Sequence, residues 1–408
     1  MIHKDRSRPM PRFGEFVALT AMMIALVALS IDTVLPALPE IGQDLGIQRA
    51  NHNQLIISLL FLGLAVGQLL YGPVSDSTGR KPAIYAGFGL LIIGCLLSLS
   101  ATSFPMLLAG RVIQGVGVAG PRVVTVALVR DQYKGRAMAQ VMSFVMAVFI
   151  LVPIIAPAFG QGILLFAGWR AIFAAYLGLA LVVLAWFVFR QPETLQPNQR
   201  LPFSLGRIVM GVREVFATRV AIGYTMAAGL IFGAFLGYLN STQQMFQEQY
   251  GLGKLFPLYF GVLAVSFGCA SVLNARLVMR YGMRRLTTTA SLTIGTLSTA
   301  FFAVAYVHAG HPPLWSLMAF FLTVFFCIGL LFGNLNALAM EPLGHIAGVG
   351  AAVVGALTTT MSLLLGILIG QGYNGTVLPL VGGFAVLSLA SALAMRWAEH
   401  KRSVPQTG

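Results

Sequence analysis

The chain is poor in charged residues, and this scarcity excludes a water-soluble globular protein. Only 9% of its 408 residues are charged, whereas 57% are hydrophobic. A soluble domain has about 25% charged residues, so this chain has too little polar surface to stay dissolved in water. The composition therefore predicts a protein that lies in a lipid bilayer.

Sequence patterns for cofactor chemistry are also missing. The three cysteines, Cys95, Cys269 and Cys327, lie in apolar runs without metal-ligand spacing, which indicates neither a disulfide nor a metal site. No Gly-x-x-x-x-Gly-Lys-Ser/Thr stretch occurs, so the chain has no phosphate-binding loop for ATP. We therefore expect no cofactor and no enzymatic activity. A membrane-embedded enzyme is only a weak alternative, since no nucleophile–base pair emerges.

Long apolar runs divide the chain into membrane-length segments. The first run, about 16–35, lacks a small-residue cleavage site, so we expect it to remain as a span. We predict an all-α polytopic membrane protein with 12 transmembrane helices, since about 20 apolar residues cross the hydrocarbon core. The predicted spans are roughly 14–36, 53–72, 82–102, 105–129, 138–164, 170–189, 220–244, 256–277, 286–307, 313–338, 347–371 and 375–396.

Positive charge is concentrated on one side of these spans. If both termini share a side, 21 basic residues lie there, and the other side has only Arg49, Arg170 and Lys254. Basic loops stay in the cytoplasm, so we expect both termini to be cytoplasmic, in a bacterial inner membrane. The net charge of +14 then reflects topology, and we expect no nucleic-acid partner.

A polar linker divides the chain into two halves. The longest polar interruption follows the sixth predicted span and has three prolines and five arginines. We therefore predict an N-terminal six-helix bundle at 1–189, a cytoplasmic linker at 190–219 and a C-terminal six-helix bundle at 220–408.

A short polar loop between the second and third predicted spans is the strongest motif. Gly72, Asp76, Gly79, Arg80 and Lys81 are spaced as Gly-x-x-x-Asp-x-x-Gly-Arg-Lys. We expect the glycines to permit a tight turn, and Asp76 to pair with a base or to accept backbone amides of the next helix. An ordinary charged hairpin is the alternative, although turn chemistry alone does not demand this spacing.

The second half has a partial copy of this loop. A shift of 203 residues aligns Gly282 with Gly79 and Arg284 with Lys81, whereas the acid is not repeated. This alignment favours two halves built as a repeat.

Asp32 is the one acid that lies well inside a predicted span. A charged carboxylate at a helix centre costs at least about 2.5–3.5 kcal/mol, so we expect this group to have a function, such as taking up and releasing protons. Pro36 has no N–H for the Asp32 carbonyl, which leaves a free acceptor beside the acid. Alternatively, Asp32 lies near a wet helix end, about 22 Å along a helix that enters hydrocarbon near Val17.

Two arginines lie in the fourth predicted span. Arg111 and Arg122 are three turns plus about 20° apart on a helix, so they share one face, which we expect to line a central cavity. A direct pair between Arg111 and Asp32 stays open, and the alternative is an arginine that extends to the interface. For Arg122, a pair with Asp131 on the cytoplasmic side is a further interpretation.

Other polar groups in apolar spans complete the candidate cavity. In the second half these are Tyr238, Asn240, Gln244, Asn334 and Asn336. Such groups should face protein or a cavity. An aromatic cavity with one acid suits lipophilic, cationic compounds.

The fifth predicted span contains two prolines. Pro153 and Pro157 each remove a helical hydrogen bond on one face, which predicts a kink, and Gly160 permits a close helix contact. An ordinary kinked helix without a role in transport is the alternative.

These motifs resemble those of major facilitator superfamily transporters, and most closely the drug/proton antiporters of the bicyclomycin-resistance type. The resemblance rests on the segments Ser30–Pro39, Gly72–Lys81, Arg111–Gly115, Arg130–Asp131 and Gly168–Phe173. It implies two six-helix bundles that alternate access, with Asp32 and Arg111 in proton coupling. It also implies that Asp76, Arg80 and Lys81 clasp the two halves on the cytoplasmic side. The fifth-helix motif matches only in part, since its leading glycines are absent, so the direction of transport stays open.

The sequence thus predicts a proton-coupled exporter of lipophilic drugs or related small organic compounds. The proton gradient supplies the energy, protons and membrane lipid are the other partners, and we expect a monomer. An importer or exchanger of a small organic metabolite on the same fold is the alternative. A receptor or scaffold without solute flux is a third interpretation.

Overall fold

The computed structural model describes residues 11–400, except the side chains of residues 139 and 150. Within that range the chain is helical and has no β-strand, which confirms the all-α prediction. Five basic residues that enter the charge count lie outside the described residues: Lys4, Arg6, Arg8, Lys401 and Arg402.

Fourteen α-helices follow one another in the described part of the chain. The first seven are α1 (Phe13–Asp32), α2 (Leu38–Asp44), α3 (Leu55–Thr78), α4 (Arg80–Leu99), α5 (Phe104–Gln132), α6 (Gly135–Leu164) and α7 (Arg170–Arg190). The next seven are α8 (Leu205–Ala217), α9 (Arg219–Gln243), α10 (Phe256–Tyr281), α11 (Met283–Val307), α12 (Leu314–Met340), α13 (Ala347–Gln371) and α14 (Leu378–Glu399).

Twelve of these helices match the predicted spans. Between residues 11 and 400, 11 helical runs are long and apolar enough to cross a membrane, and one of them, Leu314–Gln371, has 58 residues. A helix of that length would measure about 87 Å, against a hydrocarbon core of about 30 Å. A 3₁₀ turn at Glu341–Ile346 separates α12 from α13, so this run crosses twice.

The order of helix contacts repeats along the chain. In the first group α5 packs against α3 and α4, while α1 packs against α6 and α7. In the second group α12 packs against α10 and α11, while α9 packs against α13 and α14. The two groups meet where α3 contacts α13 and where α6 contacts α10. The boundaries at 189 and 219 stay a prediction.

Glycines bring the helices of the first group into backbone contact. A Cβ added at Gly63 of α3 would lie 2.0 Å from the Val112 carbonyl oxygen of α5. The predicted close contact of Gly160 also occurs, because its added Cβ would lie 2.0 Å from the Thr33 carbonyl oxygen. Helices with side chains at these points could not approach as closely.

The loop predicted between the second and third spans is only one residue long. The interpretation of 72–82 as a loop is wrong, because α3 runs to Thr78 and α4 begins at Arg80. Three hydroxyl side chains near the end of α3 donate to carbonyls of the preceding turn, so their polar groups are bonded within the helix. Gly79, at φ 111°, makes the break, and Gly282 at φ 76° makes the corresponding break between α10 and α11.

Pro153 and Pro157 lie inside α6, and the helix continues through both. The kink that they predict, and any role of that kink in transport, stay predictions.

We predict that Gly63→Ala destabilises the protein and that Gly89→Ala does not. The Cβ added at Gly63 meets the Val112 carbonyl, whereas nothing lies within 4 Å of a Cβ at Gly89. Alanine favours a helix over glycine by about 1 kcal/mol, so the second substitution is a matched control. Thermal unfolding in detergent should show a lower Tm for Gly63→Ala alone, and an unchanged Tm would contradict the backbone contact.

Candidate functional site

Asp32 lies at a break in the first membrane-crossing run. Helix α1 ends at Asp32, a 3₁₀ turn follows at Leu35–Ala37, and α2 continues the run to Asp44. The run therefore extends about 18 Å past the acid, and Asp32 is only 4% exposed. This position disagrees with a carboxylate at a wet helix end.

The Asp32 carboxylate has no hydrogen bond or ion pair within residues 11–400. Tyr238 of α9 lies close enough to Asp32 for an electrostatic interaction between the two side chains. The Tyr238 hydroxyl is buried beside Thr242, and neither hydroxyl completes a hydrogen bond of ordinary geometry with the described residues. A buried acid of the first half and a buried tyrosine of the second half thus lie within electrostatic range of each other.

Backbone carbonyls hold Arg111 in place, and it does not pair with Asp32. Its Nη2 donates to the Ser30 carbonyl at 2.8 Å, and its Nε donates to the Ile56 carbonyl at 2.9 Å. Its Nη1 donates to Gln114 Oε1 at 2.7 Å. Arg111 is 1% exposed, so it does not extend to the interface. The guanidinium thus links α5 to α1 and to α3. The α1 carbonyl that it bonds belongs to Ser30, two residues before Asp32.

A small cavity lies beside Arg111. It has a volume of about 10 Å³, and its polar lining comes from Ser30, Thr33, Arg111 and Tyr176. Such a volume is about what one water molecule needs. The cavity therefore provides a water-sized space between Arg111 and the helix break that starts at Asp32.

Arg122 does not make the ion pair with Asp131 that was the further interpretation of its position. Its pair with Asp131 is wrong, because Arg80 Nε donates to Asp131 Oδ2 at 2.8 Å. Arg122 is partly exposed and has no ion pair with the described residues. It lies about 15 Å from the end of α5, a depth at which a guanidinium without a partner must face water or a ligand. Its place in a substrate cavity stays a prediction.

Tyr238 belongs to an aromatic cluster formed by α9, α10 and α12. Its ring centroid lies 4.8 Å from that of Phe325, 5.3 Å from that of Phe321 and 6.1 Å from that of Phe260. Phe235 stacks at 6.3 Å. Aromatic side chains of the second half therefore surround the Tyr238 ring.

Asn240 and Gln244 bridge the two halves of the chain. Ser58 Oγ donates to Asn240 Oδ1 at 3.2 Å, and Gln54 Nε2 donates to Gln244 Oε1 at 2.6 Å. Gln244 Nε2 donates to Asn51 Oδ1 at 2.9 Å. Both predicted cavity residues thus bond to the beginning of α3 and to the turn before it.

Asn51 connects this network to the end of α13. Its Nδ2 donates to the carbonyls of Gln371 at 3.1 Å and Tyr373 at 2.8 Å, and its own carbonyl accepts from Gln371 Nε2 at 2.7 Å. We call Asn51, Gln54, Ser58, Asn240, Gln244 and Gln371 the amide seal. Sequence reasoning missed Asn51 and Gln54, because an asparagine and a glutamine before a span look like ordinary loop residues.

The remaining predicted cavity residues are separated from this seal. Asn334 Nδ2 donates to Asn274 Oδ1 at 2.7 Å, a contact between α12 and α10. Asn336, two residues later, is exposed. The predicted set therefore divides into Tyr238 near Asp32, two residues in the seal, and two residues elsewhere on α12.

The motif around Gly79 is bonded to the first half of the chain and to the start of the linker. Arg80 Nη1 donates to Asp76 Oδ1 at 2.6 Å, so the predicted pair between Asp76 and a base occurs. Lys81 Nζ donates to the Gln191 carbonyl at 2.6 Å. Gly72 of the motif lies near the second half, since its added Cβ would be 3.8 Å from Ala352 Cβ. A clasp between the halves by Asp76, Arg80 and Lys81 stays a prediction.

Glu193 caps the start of α4, and sequence reasoning missed it. Its Oε1 accepts from the Arg80 amide and its Oε2 accepts from the Lys81 amide, both at 3.0 Å. A carboxylate is favourable at a helix N-terminus, where free amides point outward. The sequence did contain one signal: Glu193 is an acid that follows the sixth predicted span, on the same predicted side of the membrane as Gly79.

The second half has a matching arrangement. Arg284 at the start of α11 donates to Glu341 Oε2 at 2.5 Å and to Glu399 Oε1 at 2.8 Å. Like Arg80, it joins the start of the third membrane helix of its half to the end of the fourth. This agreement supports the predicted repeat.

A match to a protein-family model decides the family. The model of the Major Facilitator Superfamily matches residues 20–370. The chain belongs to the major facilitator superfamily. It is therefore a multi-pass membrane transporter rather than an enzyme, of a kind that needs no cofactor. Within residues 11–400, no cluster of three or more histidine, cysteine or acidic residues forms a metal site.

Named relatives agree with the resemblance found in the sequence. The chain is 29% identical to the bicyclomycin resistance protein homolog of Haemophilus influenzae, over 93% of this chain and 94% of that protein. It is 26% identical to the multidrug resistance protein MdtL of Salmonella typhi, over 87% of this chain and 92% of that protein.

Solved structures of this superfamily have the same fold. The xylose transporter XylE from E. coli, in a partially occluded inward open conformation, has a TM-score of 0.74 at 13% identity and covers 97% of this chain and 98% of its own. The human organic anion transporter MFSD10 has a TM-score of 0.71 at 17% identity, over 95% of this chain and 100% of its own.

We predict that Asn51→Asp opens the amide seal of this transporter. A carboxylate cannot donate to the Gln371 and Tyr373 carbonyls that Asn51 now bonds. A cysteine at position 58, which is fully buried, should then react faster with a water-soluble maleimide, in detergent and in a background without native cysteines.

The matched control is Gln48→Glu shortly before Asn51, because among residues 11–400 the Gln48 side chain donates to no group except the Gly46 carbonyl, at 3.4 Å. Equal maleimide rates for wild type, Asn51→Asp and Gln48→Glu would show that these bonds do not hold the seal.

Proposed function

We propose that this transporter exports lipophilic drugs or related small organic compounds across the bacterial inner membrane in exchange for protons. Asp32 carries the proposal, because its buried carboxylate has no partner within the described residues. An unpaired charge is costly in hydrocarbon. The group is therefore stable when it binds a proton or when a cationic ligand replaces that proton.

Competition for Asp32 would couple the two fluxes. A lipophilic cation can place its charge at the carboxylate and its apolar body against the aromatic wall around Tyr238, where cation–π contacts add to the attraction. On the periplasmic side, an entering proton neutralises Asp32 and releases the substrate. On the cytoplasmic side, Asp32 loses that proton as new substrate binds.

Arg111 would act in this cycle as a positioning residue. Its bond to the Ser30 carbonyl fixes the last turn of α1 before Asp32. The adjacent water-sized cavity offers a place for a water molecule that passes protons between the acid and its surroundings.

Access would alternate through the movement of two six-helix bundles, residues 1–189 and 220–408, about this site. The charge distribution predicts that α3 begins on the periplasmic side, so the amide seal would close that side. When the seal opens, Asp76, Arg80 and Lys81 would bind the second bundle and close the cytoplasmic side.

The names of two relatives, a bicyclomycin resistance protein homolog and a multidrug resistance protein, support drugs as the substrate class. An importer or exchanger of a small organic metabolite is the alternative on the same fold. Accumulation of substrate in cells, in place of depletion, separates that alternative from export.

We predict that Asp32→Asn abolishes proton-coupled transport and that Asp44→Asn does not. Asparagine at 32 cannot take up a proton, whereas Asp44 belongs to the same helical run but its side chain is 45% exposed and pairs with Arg170. In inverted membrane vesicles with an inward proton gradient, lipophilic antibiotics and cationic dyes should dissipate the gradient in wild type and Asp44→Asn only. Full dissipation by Asp32→Asn would remove Asp32 from the coupling mechanism.

A further inference from the structure

Helix α8, in the segment between the two groups of membrane helices, has an apolar stripe that no described residue covers. Leu205, Val209 and Phe216 are 63%, 65% and 56% exposed. At about 100° per residue, these three side chains fall within an arc of about 40° on the helix. Exposed apolar groups aligned in this way mark a contact surface.

The orientation of α8 is fixed by a different face. Gly211 and Val215 are its buried residues, and a Cβ added at Gly211 would lie 2.4 Å from Val349 Cγ1 of α13. This contact is close enough that α8 cannot turn its exposed stripe onto the protein. The stripe therefore faces the surroundings of the molecule.

The position of α8 in the chain indicates that the stripe lies near the membrane surface. The helix ends at Ala217, and α9 begins at Arg219, so its C-terminus is fixed where α9 enters the bilayer. With 13 residues it measures about 20 Å, which is too short to span a bilayer. An amphipathic helix at that depth lies in the interface, with its apolar side toward the acyl chains.

The polar side of α8 and its flanks are basic. Arg207 and Arg213 lie on the helix, and Arg200 and Arg219 lie on either side of it. The only acid of α8, Glu214, contacts His345. The excess positive charge complements a surface of anionic lipid.

We propose that α8 lies in the predicted cytoplasmic face of the bilayer and binds anionic phospholipid. Leu205, Val209 and Phe216 enter the acyl-chain boundary, and Arg207 and Arg213 contact the headgroup phosphates. Because α8 also packs on α13 and leads directly into α9, bound lipid would hold the start of the second bundle at a fixed depth. The proposal is independent of the substrate and of the direction of transport.

Lipid contact at neighbouring positions of the full chain tests the stripe. An NBD fluorophore is attached to Val209→Cys or to Met210→Cys in a background without native cysteines, and the protein is reconstituted in vesicles with brominated acyl chains. Met210 is the matched control, since it is 62% exposed against 65% for Val209 but points about 100° away. We expect several-fold stronger quenching at 209. Equal quenching at both positions, or none at either because another protein surface covers the helix, would overturn the proposal.

Lipid charge tests the headgroup contact. Quenching at 209 should be stronger in vesicles with phosphatidylglycerol than in pure phosphatidylcholine. The double substitution Arg207→Gln with Arg213→Gln should remove that difference, while quenching in phosphatidylcholine stays unchanged. Two results would overturn the assignment to anionic headgroups. One is equal quenching at 209 in both lipids when Arg207 and Arg213 are present, and the other is a difference that survives the double substitution.

Discussion

The cost of an unpaired carboxylate in hydrocarbon is the constraint on which the rest of this transporter depends. Asp32 is buried and has no partner among the described residues, so its surroundings favour a neutral acid. Under the proposed function, a cationic ligand is the alternative to the proton at this group. Arg111 donates to backbone carbonyls nearby. It therefore fixes α1, which ends at Asp32, but it does not pair with the Asp32 carboxylate.

The amide seal and the ion pairs of Arg80 and Arg284 are two different kinds of interaction. The amide seal joins the two halves through neutral hydrogen bonds, each with a net contribution of about 0.5–1.5 kcal/mol, so such a seal can open without the separation of charges. The ion pairs of Arg80 and Arg284 lie within their own halves. Ion pairs thus lie within each half, whereas the bonds of the amide seal between the halves are neutral.

The fold was predictable because hydropathy and the positions of basic residues depend only on local composition. Asp32 could be found for a similar reason, as the single acid inside a span. The partners of Glu193 and Asn51 could not be found in this way, because their bonds join residues 113 and 320 positions apart and depend on how helices pack. The wrong loop at 72–82 has a local cause: glycine and proline suggested a turn, but α3 continues through Gly72 and Pro73 to Thr78 and only Gly79 leaves the helix.

Proton release on ligand binding tests the central role of Asp32 most directly. Purified protein in weakly buffered detergent, near neutral pH, is mixed with tetraphenylphosphonium, a lipophilic cation, and a pH-sensitive dye records released protons while equilibrium dialysis records bound cation. Wild type should release protons in proportion to bound cation, and Asp32→Asn should release none. Equal proton release by the two proteins at equal binding, or cation binding to wild type without proton release, would contradict competition for Asp32 as the basis of coupling.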